Sequence, residues 1–157
     1  MKKLLLIICA ISMVSFSSLS LSEGTTPSKV LVSKFELGAD FKKLLEYDFV
    51  HSDSYKKGIE EFGEEELKNR INISLQKMVA KYQGNWNAII EKEYLKALNE
   101  KEILSLVSDA EKSLSYPKFL KVRSNIENRY RYISMTSADY IQASTHFSML
   151  VLLANDL

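Results

Sequence analysis

Apolar residues recur at every third or fourth position along most of the chain, and no alternation of apolar and polar residues lasts more than a few positions. This is the period of a helix that buries one face, whereas a strand alternates with a period of two. Residues that interrupt helices are few after the N-terminal region, and they are Pro27, Gly38, Gly58, Gly63, Gly84 and Pro117. The pattern therefore predicts an all-α fold, a single compact bundle of about five to seven amphipathic helices.

The first part of the helical region divides at glycine and small polar residues. A helix that begins after Pro27 is predicted to end at Gly38, because proline suits the first turn of a helix and glycine its end. Asp40 is predicted to cap the second helix. A loop at His51–Ser54 then precedes a short helix at Tyr55–Phe62.

The middle of the chain is predicted to contain helices joined by tight turns. The longest of them begins at Gly63 and carries an apolar stripe at helical spacing, and Gly84 is predicted to end it. Asn85 is then the predicted cap of a helix that carries the only tryptophan. Asn99 is predicted to cap the next helix, with Glu102 as the reciprocal partner of a capping box.

The last part of the chain is predicted to contain the helix that lies at the centre of the bundle. The helix after Asn99 buries an apolar stripe that ends at Leu114, and one further helix covers Pro117–Ile133. Thr136 or Ser137 is predicted to cap the last helix. Its end, residues 149–154, is apolar on all sides, which is typical of a central helix.

The N-terminus has the pattern of a Sec-type signal peptide. Lys2 and Lys3 precede the apolar run Leu4–Val14, which is too short for a stable membrane span, and small residues follow. Cleavage is predicted after Ser20 or Ser22, and an uncleaved N-terminal anchor is the alternative. The chain would then comprise a signal peptide at residues 1–22 and one helical domain at residues 23–157, which is periplasmic or secreted and does not span the membrane.

Composition excludes several functions for the predicted mature chain. Removal of residues 1–22 takes away two lysines and no acidic residue, which leaves 19 basic and 20 acidic residues among the remaining 135. A protein without excess basic charge is a poor candidate for nucleic-acid binding. The only cysteine, Cys9, lies within the signal peptide, so the mature chain has no disulfide, thiolate nucleophile or Cys-ligated zinc.

The side chains that carry catalytic chemistry form no recognisable set. The two histidines, His51 and His146, lack any metal-ligand spacing, so we expect a solvated loop residue and a packed residue with one hydrogen bond. The glutamates at residues 60–66 surround a predicted helix start, where they interact favourably with the helix dipole. We therefore predict no catalytic residue, no metal and no cofactor.

Five residues are candidates for a groove that binds a partner. Glu93 lies at the border of an apolar helix face that also carries Trp86 and Tyr94, and Arg129 and Tyr130 belong to a basic and aromatic helix. The alternative for Trp86 and Tyr94 is a position in the core, because aromatic residues at helical spacing usually pack. The alternative for Glu93 is a pair with Lys92 or Lys96 near the surface.

Two segments of the chain match a known motif pattern. The first consists of Ser28-Lys29, Leu31-Val32, Phe35–Asp40 and Leu44. The second consists of Trp86, Ile89 or Ile90, Tyr94, Leu98, Glu102-Ile103 and Leu106. Over Ser28–Phe119 the chain thus resembles a family of small secreted bacterial proteins, the domain-of-unknown-function family numbered twenty fifty-nine. It departs where that family has Phe-Tyr, since Asp109-Ala110 stands here, and its Ser-Pro step is displaced to Ser115–Pro117. The resemblance implies an exported all-helical domain with no established activity and no catalytic residues.

These observations together favour a non-catalytic binding protein of the cell envelope. The partner would be an envelope protein or a small ligand, and self-association remains open. One alternative is a periplasmic immunity protein that neutralises a secreted toxin. The other is an envelope hydrolase, for which Glu93, His146 and Arg129 would have to converge in one open pocket.

Overall fold

The computed structural model describes residues 25–153, and within them the chain consists of α-helices and short connections. The helices are α1 (Pro27–Lys34), α2 (Phe41–Val50), α3 (Asp53–Phe62), α4 (Glu64–Leu95), α5 (Glu100–Asp109), α6 (Tyr116–Glu127), α7 (Tyr130–Thr136) and α8 (Ala138–Leu153), with a 3-10 turn at Ala110–Lys112. The predicted all-α fold is confirmed, with eight helices in this part of the chain rather than the predicted five to seven. The predicted signal peptide and Ala154 lie outside the described residues.

Helix α4 is the axis of the bundle. Its 32 residues extend for about 48 Å, and α1, α2, α3, α6 and α8 all pack against it. Its buried face consists of Leu67, Ile71, Ser74, Leu75, Met78, Tyr82, Trp86, Ile90 and Tyr94. Because this face is continuous, the surrounding helices share a single hydrophobic core. No helix in the described part of the chain combines the length and the apolar character that a membrane span requires.

The predicted helix end at Gly84 is wrong. Helix α4 continues through Gly84 and Asn85, so Asn85 caps no helix. Glycine costs only about 1 kcal/mol in a helix interior. The apolar stripe that includes Tyr82 continues through Trp86 and Ile90 on the same face, and burial of side chains of this size stabilises the helix by more than the glycine costs.

The single helix predicted over Pro117–Ile133 is also wrong. The chain leaves the helix at Asn128 and Arg129 and starts α7 at Tyr130. The break turns Tyr130 toward the core, where its hydroxyl donates a hydrogen bond of 2.6 Å to the backbone carbonyl of Leu37. The helix is therefore interrupted, and Tyr130 makes a buried tertiary hydrogen bond.

Two capping predictions are confirmed, and that for Asp40, like that for Asn85, is wrong. Asn99 and Glu102 form the reciprocal capping box at the start of α5. The backbone N–H of Tyr140 donates to Ser137 Oγ at 3.4 Å, so Ser137 rather than Thr136 caps α8. Asp40 makes no capping bond, because its carboxylate accepts instead from Lys43 Nζ at 3.2 Å.

Two predictions of burial in the last part of the chain are wrong. Leu114, predicted to be buried, is 99% exposed, because α5 ends at Asp109 and Ala110 adopts a φ of 51° that turns the chain away. The end of α8 is not buried on all sides: Met149 and Leu153 are more than half exposed, while Phe147 and Val151 face the core. Helix α8 therefore packs on α4 through one face only.

Candidate functional site

The junction between α6 and α7 brings together four of the five predicted site residues. Arg129 lies directly before α7, and Tyr130 is its first residue. The ring centre of Tyr130 lies 5.8 Å from that of Trp86 in an edge-to-face arrangement. Arg129 Nη1 lies 4.0 Å from Glu93 Oε2. The junction thus has an aromatic inner layer and a charged outer layer.

The inner layer is closed to a partner. Trp86 is 1% exposed and Tyr94 is fully buried, so the alternative of core packing holds for both, and neither lines an open groove. Trp86 packs between Phe41 and Tyr140, and Tyr94, about two turns further along α4, packs against Phe119. These rings interlock because α1, α2, α6 and α8 all meet the second half of α4.

Burial of three tyrosines controls their ionisation. Desolvation raises the pKa of Tyr94, whose hydroxyl has no hydrogen-bond partner in the described structure. Burial, with repulsion from Glu127, raises the pKa of Tyr130 to about 12. Burial also raises the pKa of Tyr140, and its hydrogen bond to Asp48 (2.8 Å) adds to the effect. All three hydroxyls are therefore held in the neutral form.

The two hydroxyls in this layer are expected to contribute to stability with opposite signs. Tyr94→Phe removes a buried hydroxyl without a partner and should raise the free energy of unfolding by about 1 kcal/mol. Tyr130→Phe leaves the Leu37 carbonyl without its donor and should lower it by about 1–2 kcal/mol. Urea unfolding of both variants measures the two effects. Equal losses in both would mean that Tyr94 has a hydrogen-bond partner.

The outer layer is an ion-pair cluster. The Glu93 side chain is only 13% exposed and lies between Lys96 and Arg129, with which it pairs. The predicted pair with Lys96 is thus present. Arg129 remains 56% exposed and extends over the ring of Tyr132 at 5.8 Å. Arg129 is therefore held in place by Glu93 while its outer part faces solvent.

The exposed side of α7 and the neighbouring part of α2 form a surface of aromatic, basic and apolar side chains. We call it the α7 surface, and it consists of Tyr47, Arg129, Arg131, Tyr132 and Met135. Tyr132 and Met135 are 61% and 66% exposed, and Tyr47, on the neighbouring helix α2, is 44% exposed. The guanidinium of Arg131 lies 5.5 Å from the ring centre of Tyr47 and connects the two helices. None of these aromatic residues contributes to the core.

A cleft of about 390 Å³ lies beside this surface, between α2 and the α6–α7 junction. Its walls include Lys43, Tyr47, Asp48, Tyr130 and Arg131. The cleft is open to solvent and carries charges of both signs. It adjoins the α7 surface through Tyr47 and Arg131, which line both.

The sequence pattern named Arg129 as a candidate, whereas Tyr47 and Met135 of the α7 surface were not among the candidates. A signal for Tyr47 was present, since a large aromatic residue stands outside the apolar stripe of α2. No such signal existed for Met135, because its exposure depends on the break between α6 and α7.

The histidines lie apart from the ion-pair cluster. His146 Nδ1 lies 3.1 Å from the Tyr82 hydroxyl, which confirms a packed histidine with one hydrogen bond. Tyr82 precedes Glu93 by eleven residues of α4, or about 16 Å along the helix axis. His146 therefore does not converge with Glu93 and Arg129.

The other histidine, His51, makes local contacts. His51 is the residue that follows α2; its ring stacks on Tyr47 at 4.1 Å, and Nδ1 lies 2.7 Å from the Tyr47 carbonyl oxygen. Within residues 25–153 no three histidine, cysteine or acidic side chains are grouped so that they could hold a metal ion.

Comparisons of the chain with protein-family models, with curated proteins and with solved structures found no match. The resemblance to the secreted bacterial family numbered twenty fifty-nine stays a prediction.

Proposed function

We propose that this chain is an exported, periplasmic helical protein without catalytic activity that binds an envelope protein through the α7 surface. The observation that carries the proposal is the exposure of Tyr47, Tyr132 and Met135 beside Arg129 and Arg131. Tyrosine, methionine and arginine are enriched at protein interfaces, and tyrosine and arginine dominate binding hot spots.

The arrangement of these side chains supports binding rather than a purely solvated surface. Arg131 and Tyr47 contact each other, and Arg129 lies within ion-pair distance of Glu93, so these arginines are partly ordered before binding. The nearest acidic partner of Arg129 is Glu93, and α7 itself contains no acidic residue. The chemistry favours a partner with carboxylates around an apolar centre.

The separation of His146 from Glu93 supports the non-catalytic part of the proposal. A hydrolase built on these residues needs a base, an acid and an anion-binding group around one substrate atom. Here Glu93 pairs closely with Lys96 and lies 4.0 Å from Arg129, whereas His146 bonds to Tyr82, which lies eleven residues earlier on α4. The alternative is a periplasmic immunity protein, for which the partner at this surface would be a secreted toxin.

Crosslinking in intact cells tests the proposal. The full sequence is expressed with a C-terminal tag, and proteins crosslinked to it in the periplasmic fraction are identified by mass spectrometry. We expect one envelope protein in near-stoichiometric amount. Arg131→Glu and Tyr132→Ala should each lower its recovery at least about tenfold, as hot-spot substitutions do, with the melting temperature unchanged.

Lys101→Glu and Leu104→Ala on α5 are matched controls, because they change an exposed charge and an exposed apolar residue away from α7. Equal loss of the partner in these controls, or none in the α7 variants, would contradict the assigned surface. Recovery of the tagged chain from the cytoplasm with residues 1–22 attached would contradict export. Absence of any protein partner would move the search to a small ligand in the adjoining cleft.

A further inference from the structure

Helix α8 has an outward face without charge. The face consists of Ala138, Ile141, Gln142, Thr145, Met149 and Leu153, all of which are exposed. Every other α-helix of ten or more residues in the described chain carries at least four charged residues. Helix α8 carries only Asp139, which lies about 100° around the helix from the centre of this face.

Three large apolar residues of this face are half exposed or more. Ile141, Met149 and Leu153 are 50%, 52% and 67% exposed. They lie on one side of the helix, with the uncharged Gln142 and Thr145 between Ile141 and Met149. Exposed apolar residues on one uncharged helix face mark a candidate interaction site.

The order of residues on the face is nearly symmetric about Thr145. Ile141 lies four positions before Thr145, and Met149 lies four positions after it. Two copies of α8 that cross antiparallel at Thr145 therefore place Ile141 of each copy against Met149 of the other. The small Thr145 side chain at the crossing allows the helices to approach closely.

The charge pattern of α8 favours a second copy of the chain over a membrane surface as the partner of this face. Helices that lie on a bilayer carry lysine and arginine beside their apolar face. Helix α8 has none: its only charged residue is Asp139, and its other titratable residues are Tyr140 and His146. In a two-fold symmetric dimer this face meets the same face of a second copy. Because the face is uncharged, the contact brings no like charges together.

We propose that α8 is a homodimer contact in which a second copy of this chain packs antiparallel on the uncharged face centred at Thr145. The helix is 16 residues long, or about 24 Å, so each copy buries less than the ~800 Å² of a standard interface. The dimer is therefore expected to be weak and to form only as the protein concentration is raised. It does not involve the α7 surface.

Sedimentation equilibrium of the purified protein, expressed from its full sequence, tests the contact over a range of concentrations. Ile141→Lys and Met149→Glu should each weaken dimerisation at least about tenfold, because each buries a charge against an apolar side chain. The double variant should recover most of the affinity, since lysine and glutamate then face each other twice. Both positions are half exposed, so circular dichroism melting should show intact folding.

Leu104→Glu on α5 is the matched control, because Leu104 is similarly exposed and should leave the equilibrium unchanged. A monomer at all concentrations overturns the proposal. Single variants without effect, or no recovery in the double variant, overturn the antiparallel contact. Binding to phospholipid vesicles that Met149→Glu abolishes, with a monomer in solution, would assign the face to a membrane instead.

Discussion

Above pH 10 the free energy of unfolding is expected to fall by up to about 4 kcal/mol for each pH unit, because three buried tyrosines cannot ionise in the folded chain. They are Tyr94, Tyr130 and Tyr140, all of which are at most 7% exposed. Burial raises the pKa of each, and for Tyr130 the folded value is about 12.

The sign follows from proton counts. Below about pH 10 all three hydroxyls are protonated in both states, so pH has no effect through them. Above that pH the unfolded chain releases three protons that the folded chain retains, and each proton contributes about 1.4 kcal/mol per pH unit in favour of unfolding. For each tyrosine the fall stops where the pH passes its folded pKa, which for Tyr130 is about 12.

Urea unfolding at closely spaced pH values between 9 and 11.5, roughly the range in which free tyrosine titrates, measures this slope. Tyr94→Phe removes one of the three protons and should reduce the slope by about 1.4 kcal/mol per pH unit. Tyr132→Phe, which removes an exposed hydroxyl, should leave it unchanged. If tyrosinate absorbance rises at the same pH in folded and urea-unfolded protein, these hydroxyls are not protected.

Gly58→Val is expected to lower the free energy of unfolding by about 2–3 kcal/mol, as overpacking of a close helix contact does. Gly58 lies buried in α3 where that helix crosses α4 and α8. A Cβ atom there would lie 2.8 Å from Leu67 Cδ1 and 3.3 Å from Leu152 Cδ2. Leu67 is fully buried, so it has no space to move away.

Gly84→Ala is the matched control and should have the opposite sign. Gly84 also lies in a helix interior, yet a Cβ there would meet nothing within 4 Å. The substitution should therefore raise the free energy of unfolding by about 0.5–1 kcal/mol through helix propensity alone. Thermal and urea unfolding of both variants gives the comparison. Destabilisation by both substitutions would mean that Gly84 is in close contact with a neighbour.

Local signals in the sequence were reliable where the interaction itself is local. The helical period fixes the fold class, because burial of one helix face repeats at every third or fourth residue. Asn99 and Glu102 bond across three residues, so their capping box could be read from their spacing. His146 was predicted to be a packed residue with one hydrogen bond because no partner residue stands at metal or catalytic spacing. The structure has this hydrogen bond.

Predictions failed where residues distant in sequence decide the result. Gly84 and Gly58 look alike in the sequence, but one lies in a continuous helix over open space and the other lies against Leu67. The break before Tyr130 depends on a hydrogen bond to Leu37, which lies 93 residues earlier. Such contacts outweigh helix propensities, which amount to about 1 kcal/mol for glycine and less for most other residues.

For this protein the sequence by itself determined the helical class, the apolar faces, two helix caps and the neighbourhood of Glu93 with Lys96, because each depends on residues within one or two helical turns. The tertiary structure alone decided that Trp86 and Tyr94 lie in the core, that Arg129 is held by Glu93, and that α7 and α8 present uncovered faces. Exposure is a property of how helices pack on one another, and one helix's sequence does not contain the positions of its neighbours.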